Sequence, residues 1–226
     1  MQALGQFKDR KIDCIAKNME NYITFSIGKL QFLDSYQFMT ASLHDLISNL
    51  PKDKFSIMRE HFNPNHVDAL LRKGVYPYEY MDDFSKFDET KLPAREHFFS
   101  SLSGELVSED EYAFANEVWQ TLQLKTLGDY HDVYLIADVL LLGDVFQNFR
   151  SLCLEFYQID PCHLLTAPGL AWQSFLKMSK VKLELIQDPN MYLFLEQEIR
   201  GMVGWLVVWG LMAQEPFLAK LRQTYG

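Results

Sequence analysis

At 226 residues, 48% hydrophobic and 14% aromatic, the chain is long enough for one large domain and too apolar for intrinsic disorder. Its net charge of −9 argues against a free-standing nucleic-acid binder, whose affinity comes largely from a basic surplus facing phosphate. The three cysteines, Cys14, Cys153 and Cys162, form no CxxC pair, which argues against a disulfide framework or four-ligand structural zinc and suits reduced thiols in an intracellular protein.

The opening 17 residues are polar and mixed in charge, unlike a secretory signal. Tyr22-Ile-Thr-Phe-Ser-Ile27 alternates apolar and small polar side chains, the pattern of a half-buried strand. Gly28-Lys29 suits a two-residue turn, and Leu30-Gln-Phe-Leu33 resumes the strand, so the spacing predicts a hairpin. A helix containing Ser42-Leu43-His-Asp-Leu-Ile47 follows. Residues 55–73 read as helical turns interrupted at Pro64, and residues 74–95 as aperiodic loop.

Residues 108–122 open with Ser-Glu-Asp-Glu, a hydroxyl cap followed by acids at the positive end of a helix dipole. A second long helix is expected from about Asp129 to Tyr157. Thr166-Ala-Pro-Gly starts another, and a short amphipathic helix is expected over residues 191–199. The most apolar run, residues 201–213, has 13 residues, short of the roughly 20 needed to cross a bilayer, so no membrane association is expected. The reading is α/β in the α+β sense: a hairpin or small sheet, then a mainly helical remainder.

Within the second long helix, Tyr134 and Asp138 are four residues apart and therefore share one helical face. Asp138 lies among Ile136, Ala137, Val139, Leu140, Leu141 and Leu142, so its carboxylate needs a cation, a donor or a metal. An ion pair with Arg or Lys, or a polar stripe shared with Tyr134, would satisfy it equally well on spacing alone.

The text around that pair, Lys125-Thr-Leu-Gly-Asp-Tyr-His-Asp-Val-Tyr-Leu-Ile-Ala-Asp-Val-Leu-Leu-Leu-Gly-Asp-Val-Phe146, resembles the third exonuclease motif of family B DNA polymerases of the organellar and viral, protein-primed type. Polymerases of Polinton/Maverick-like, self-synthesising DNA transposons are the most similar. Five further segments resemble the same family in the same order: Phe25 to Ser35, Lys73-Gly-Val-Tyr-Pro-Tyr-Glu79, Asp88 to Pro93, Leu165 to Trp172 and Glu196-Gln-Glu-Ile-Arg-Gly201.

The resemblance implies a partial 3′–5′ exonuclease of RNase H-like fold over residues 1–157, the start of a polymerase-region linker over 158–201 and a divergent tail over 202–226. It implies that Asp138 ligates one of two Mg2+ or Mn2+ ions and that Tyr134 orients the attacking water. Two hard cations held by carboxylates would steady the attacking and leaving oxygens of a phosphodiester. Lys73 matches a lysine motif associated with exonuclease catalysis; a solvated loop lysine is the plain alternative.

Ser35, or Ser42 with Leu43, corresponds to a motif for single-stranded DNA, and either serine could instead be a simple helix cap. Arg200-Gly201 corresponds to a template-contacting segment. The partners implied are a DNA primer end and template, with a terminal protein as primer, and the location implied is intracellular, the nucleus if the host is eukaryotic.

Two departures narrow the expectation. No Asp-x-Glu occurs in the chain, and the polymerisation motifs Asp-x-x-Ser-Leu-Tyr-Pro, Lys-x-x-x-Asn-Ser-x-Tyr-Gly and Tyr-x-Asp-Thr-Asp-Ser have no counterpart. Met202 stands where the family has a second glycine, and the resemblance ends at residue 203, as in a truncated or frameshifted fragment. The isolated chain is therefore expected to lack efficient nuclease or polymerase activity. A non-catalytic DNA-binding or interaction remnant is the alternative, and a helical domain with a merely ion-paired Asp138 is a third reading.

Overall fold

The computed structural model describes residues 11–16, 18, 22–184 and 186–198. Three strands open the described chain as an antiparallel meander: β1 (Ile12–Ala16), β2 (Tyr22–Ile27) and β3 (Leu30–Leu33). Gly28 turns β2 into β3 at φ 61°, which a Cβ would oppose. The expected hairpin is present, and β1 is an addition: its polar, charged surroundings hid a five-residue strand.

The register pairs Cys14 with Phe25 and Phe25 with Phe32, so all three lie on one face, and the two phenyl rings stack at 4.5 Å. Thr24, on the opposite face, is buried and donates its hydroxyl to the Phe32 carbonyl at 2.8 Å.

Among the described residues, seven α-helices follow and make up about half of the remainder. They are α1 (Leu43–Ser48), α2 (Ser56–His61), α3 (Pro64–Val67), α4 (Glu109–Thr121), α5 (Leu127–Tyr157), α6 (Ala167–Ser179) and α7 (Pro189–Glu198). Pro64 starts α3 rather than merely interrupting a helix, because its missing N–H is unpaired at N1 anyway. A two-stranded hairpin, β4 (Phe99–Ser100) and β5 (Glu105–Leu106), precedes α4; two-residue strands leave no periodicity to read.

Capping boxes fix both long helix starts. Ser108 and Glu111 exchange bonds at α4, and Thr126 and Asp129 do so at α5, which therefore begins two residues before Asp129. The α5 residues that face inward are Leu127, Tyr130, Tyr134, Ala137, Leu141 and Asp144, steps of three and four that keep one seam against the core. That seam packs on α1, on α2 and on a 3-10 segment at Phe84–Asp88. Phe55 and Met58 are 1% and 0% exposed beneath it, each burial stabilising by roughly 1.5–3 kcal/mol.

Asp144 is the exception in the apolar seam. Its carboxylate accepts from the N–H groups of Ile57 (2.8 Å) and Met58 (2.9 Å) at the start of α2. These are donors without an intrahelical partner, so one buried charge satisfies two of them and ties α2 to α5.

The chain divides into two compact units between Ser179 and Lys180, and α7 belongs to the second. Among the described residues no helix is long and apolar enough to cross a membrane. The apolar run at 201–213 lies outside the described residues.

Candidate functional site

The site is built where the loop at residues 73–80 crosses the first turns of α5. His131, Tyr134 and Asp138 are spaced i, i+3 and i+7, so they rise along one side of that helix. Tyr130 donates its hydroxyl to the Val75 carbonyl, pinning the middle of the loop to the helix. Tyr76 and His131 Nδ1 share a hydrogen bond of 2.7 Å, and the Tyr78 and Tyr134 hydroxyls are hydrogen-bonded to each other.

The rings pack as closely as the hydroxyls pair. Tyr76 stacks on Tyr134 with centroids 4.8 Å apart and planes inclined by 24°, while Tyr78 meets Tyr134 edge-on at 6.0 Å. A Cβ at Gly74 would lie 2.7 Å from Cδ2 and 3.0 Å from Cε2 of Tyr134, so only glycine lets the backbone approach this ring. Tyr134 is 9% exposed, yet Tyr78, bonded to its hydroxyl, is 67% exposed. The loop thus carries the site from the core to solvent.

Asp138 is half-buried, and its Oδ1 is buried with no hydrogen-bond partner. Burial holds its carboxyl above the usual carboxylate range; the neighbouring Tyr134 hydroxyl and the positive charge of Lys73 pull the other way. Tyr134 is shifted strongly upward by burial, by its bond to Tyr78 and by the Asp138 charge, so it stays a neutral phenol and a donor. Lys73, exposed at the loop's start, acts on Asp138 through its charge.

The structure therefore brings together Lys73, Tyr134 and Asp138. It does not bring the two serines into that group. Ser35 sits in a 3-10 turn, where its carbonyl accepts from the N–H groups of Phe38 and Met39. Ser42 is the N-cap of α1: its hydroxyl accepts from Asp45 N–H at 3.2 Å and donates to the Asp45 carboxylate at 2.7 Å. Leu43 packs against the core. Arg200 and Gly201 lie outside the described residues.

Sequence reasoning missed Tyr76, Tyr78, His131 and Gly74 as parts of the site. A signal was present: Tyr76, Tyr78 and Tyr80 recur at period two, which turns successive rings to one side of an extended segment. The last of them turns to other partners, donating to Glu89 at 2.8 and 2.9 Å with Lys86 4.1 Å above its ring.

As to metal, Asp138 offers one oxygen that lacks a donor, which fits a single ligand position of a hard cation. Among the described residues no three His, Cys, Asp or Glu side chains converge on a site of that kind. The donor set present fits one coordination position and does not fit a two-metal centre. No family model matches the chain, and no curated protein or solved structure matches it either.

Proposed function

We propose that the described residues up to 157 are a partial exonuclease domain of a family B DNA polymerase of the protein-primed type, an RNase H-like element that receives a single-stranded 3′ end. The observation that carries this reading is the convergence of Lys73, Tyr134 and Asp138, named from separate ordered sequence segments, at one loop–helix crossing. In this reading Asp138 would hold one position of a bound Mg2+ or Mn2+ ion, which would supply Lewis acidity at a phosphodiester. Tyr134 remains a neutral phenol that donates a hydrogen bond, and the Tyr78 hydroxyl holds that donor in orientation.

A test is Mn2+ titration of the isotope-labelled chain, followed by paramagnetic broadening of backbone NMR signals. Broadening centred on residues 134–138 and abolished by Asp138→Asn is expected. Broadening that persists in Asp138→Asn would sink the ligand assignment.

One observation favours a second, non-catalytic reading of the same surface. An exposed tyrosine ring, Tyr78, stands on the same short loop as an exposed lysine, Lys73, and ring stacking with a phosphate contact is how single strands are held without cleavage. Fluorescence anisotropy with a labelled single-stranded oligonucleotide separates the readings. Binding that needs Tyr78 but no divalent cation, with no shortening of the 3′ end, supports the second.

A further inference from the structure

We infer that Tyr76 and His131 form a positioning pair for Tyr134, holding its phenol in one orientation beside Asp138. The inference rests on the exonuclease reading for its purpose, and on geometry alone for its existence. Tyr130 and Tyr134 are one helical turn apart, and the Tyr76 ring is nearly parallel to both, at 6° and 24°. The Gly74 backbone also comes close to the Tyr134 ring, so near that a Cβ there would lie 2.7 Å from Cδ2. The Tyr134 ring is therefore contacted by both a loop ring and a loop backbone, and of these Tyr76 has rotational freedom of its own.

The 2.7 Å bond to His131 Nδ1 removes that freedom. His131 belongs to the same helix as Tyr134, three residues earlier, so the chain of contacts closes on itself: helix to His131, to Tyr76, to Tyr134, to helix. Phe87 meets the His131 ring at 5.0 Å and limits how far the imidazole can turn. A closed loop of contacts of this kind holds an orientation better than one hydroxyl bond from the exposed Tyr78 does, because neither Tyr76 nor His131 is more than partly open to water.

The pair should then act on Tyr134 without touching metal or substrate. The experiment uses the full chain with 13C-labelled tyrosine rings, resonances being assigned by single Tyr→Phe substitutions. Tyr76→Phe removes one oxygen and keeps the stacked ring; His131→Phe keeps a ring there and removes its hydrogen-bonding nitrogen. Each substitution is expected to shift and broaden the Tyr134 ring signals, and the double substitution to add no further shift, since both cut the same bond. His131→Asn, which restores a polar partner, is expected to recover part of the wild-type position.

Tyr134 signals unmoved in Tyr76→Phe, or two effects that simply add, would overturn the inference. Tyr76→Phe is conservative enough to keep the test valid if His131→Phe fails to fold. Mn2+ broadening around Asp138, recorded on the same samples, keeps the two ideas apart. Broadening absent at Asp138 in the wild type, while Tyr134 still responds to the substitutions, defeats the ligand reading alone; wild-type broadening at Asp138 with Tyr134 unmoved in Tyr76→Phe defeats the positioning pair alone.

Discussion

Asp138 shows how a single side chain can be both a functional candidate and a weakness of the fold. Its native carboxyl is held above the ordinary value by burial, so between the unfolded value of about 4 and the raised native value the folded chain binds more protons than the unfolded one. Stability therefore falls as pH rises through that window and stays lower above it. Asp138→Asn removes the penalty. The variant should match wild type below about pH 4 and exceed it at neutral pH, by about 1 kcal/mol at most given the screening of a half-exposed group. Urea unfolding of both proteins at the two pH values measures the difference; equal midpoint changes would place Asp138 in a compensated environment.

At the scale of elements, α5 organises the first unit, because the core seam, the tyrosine site and the α2 anchor all lie along its 31 residues. Tyr134 and Asp144 are ten residues apart on it, so the site and the anchor occupy different turns. Asp144→Ala would leave the part-buried N–H of Ile57 and the buried N–H of Met58 without this partner. The expected loss is about 3 kcal/mol, since each orphaned donor costs on the order of 1–3 kcal/mol. Thermal unfolding by circular dichroism should show a midpoint several degrees lower, and an unchanged midpoint would mean that α2 is capped in another way. The same substitution should leave any Mn2+ broadening at Asp138 in place.

Across the whole molecule, charge and apolar surface pull in different directions. The excess of 30 acidic over 21 basic side chains keeps general affinity for nucleic acid low, so binding at the Tyr78 and Lys73 surface should be weak and lost with added salt. Opposite its buried seam, α5 exposes Leu135, Ile136, Val139 and Leu142, which fall at i, i+1, i+4 and i+7 and form one continuous apolar stripe. Placing lysine at 135 and 139 together should lower concentration-dependent light scattering with no change in helix content. Scattering that stays the same would show that the stripe does not drive association.

The hairpin, the α4 start and the pairing of Tyr134 with Asp138 on one face were legible in the sequence, because each depends on neighbours within a few residues: a glycine turn, a hydroxyl followed by acids in the first turn, a four-residue spacing. The rest was not local. Whether Asp138 had a partner, whether the apparently aperiodic loop at 73–80 mattered, and what Asp144 did depended on segments 55 to 87 residues away in the chain. Periodicity reports which face of an element is buried but is silent on what buries it. Only the tertiary structure, by closing Gly74 onto Tyr134 and setting Tyr76 against His131, turned a helical pair into a candidate site.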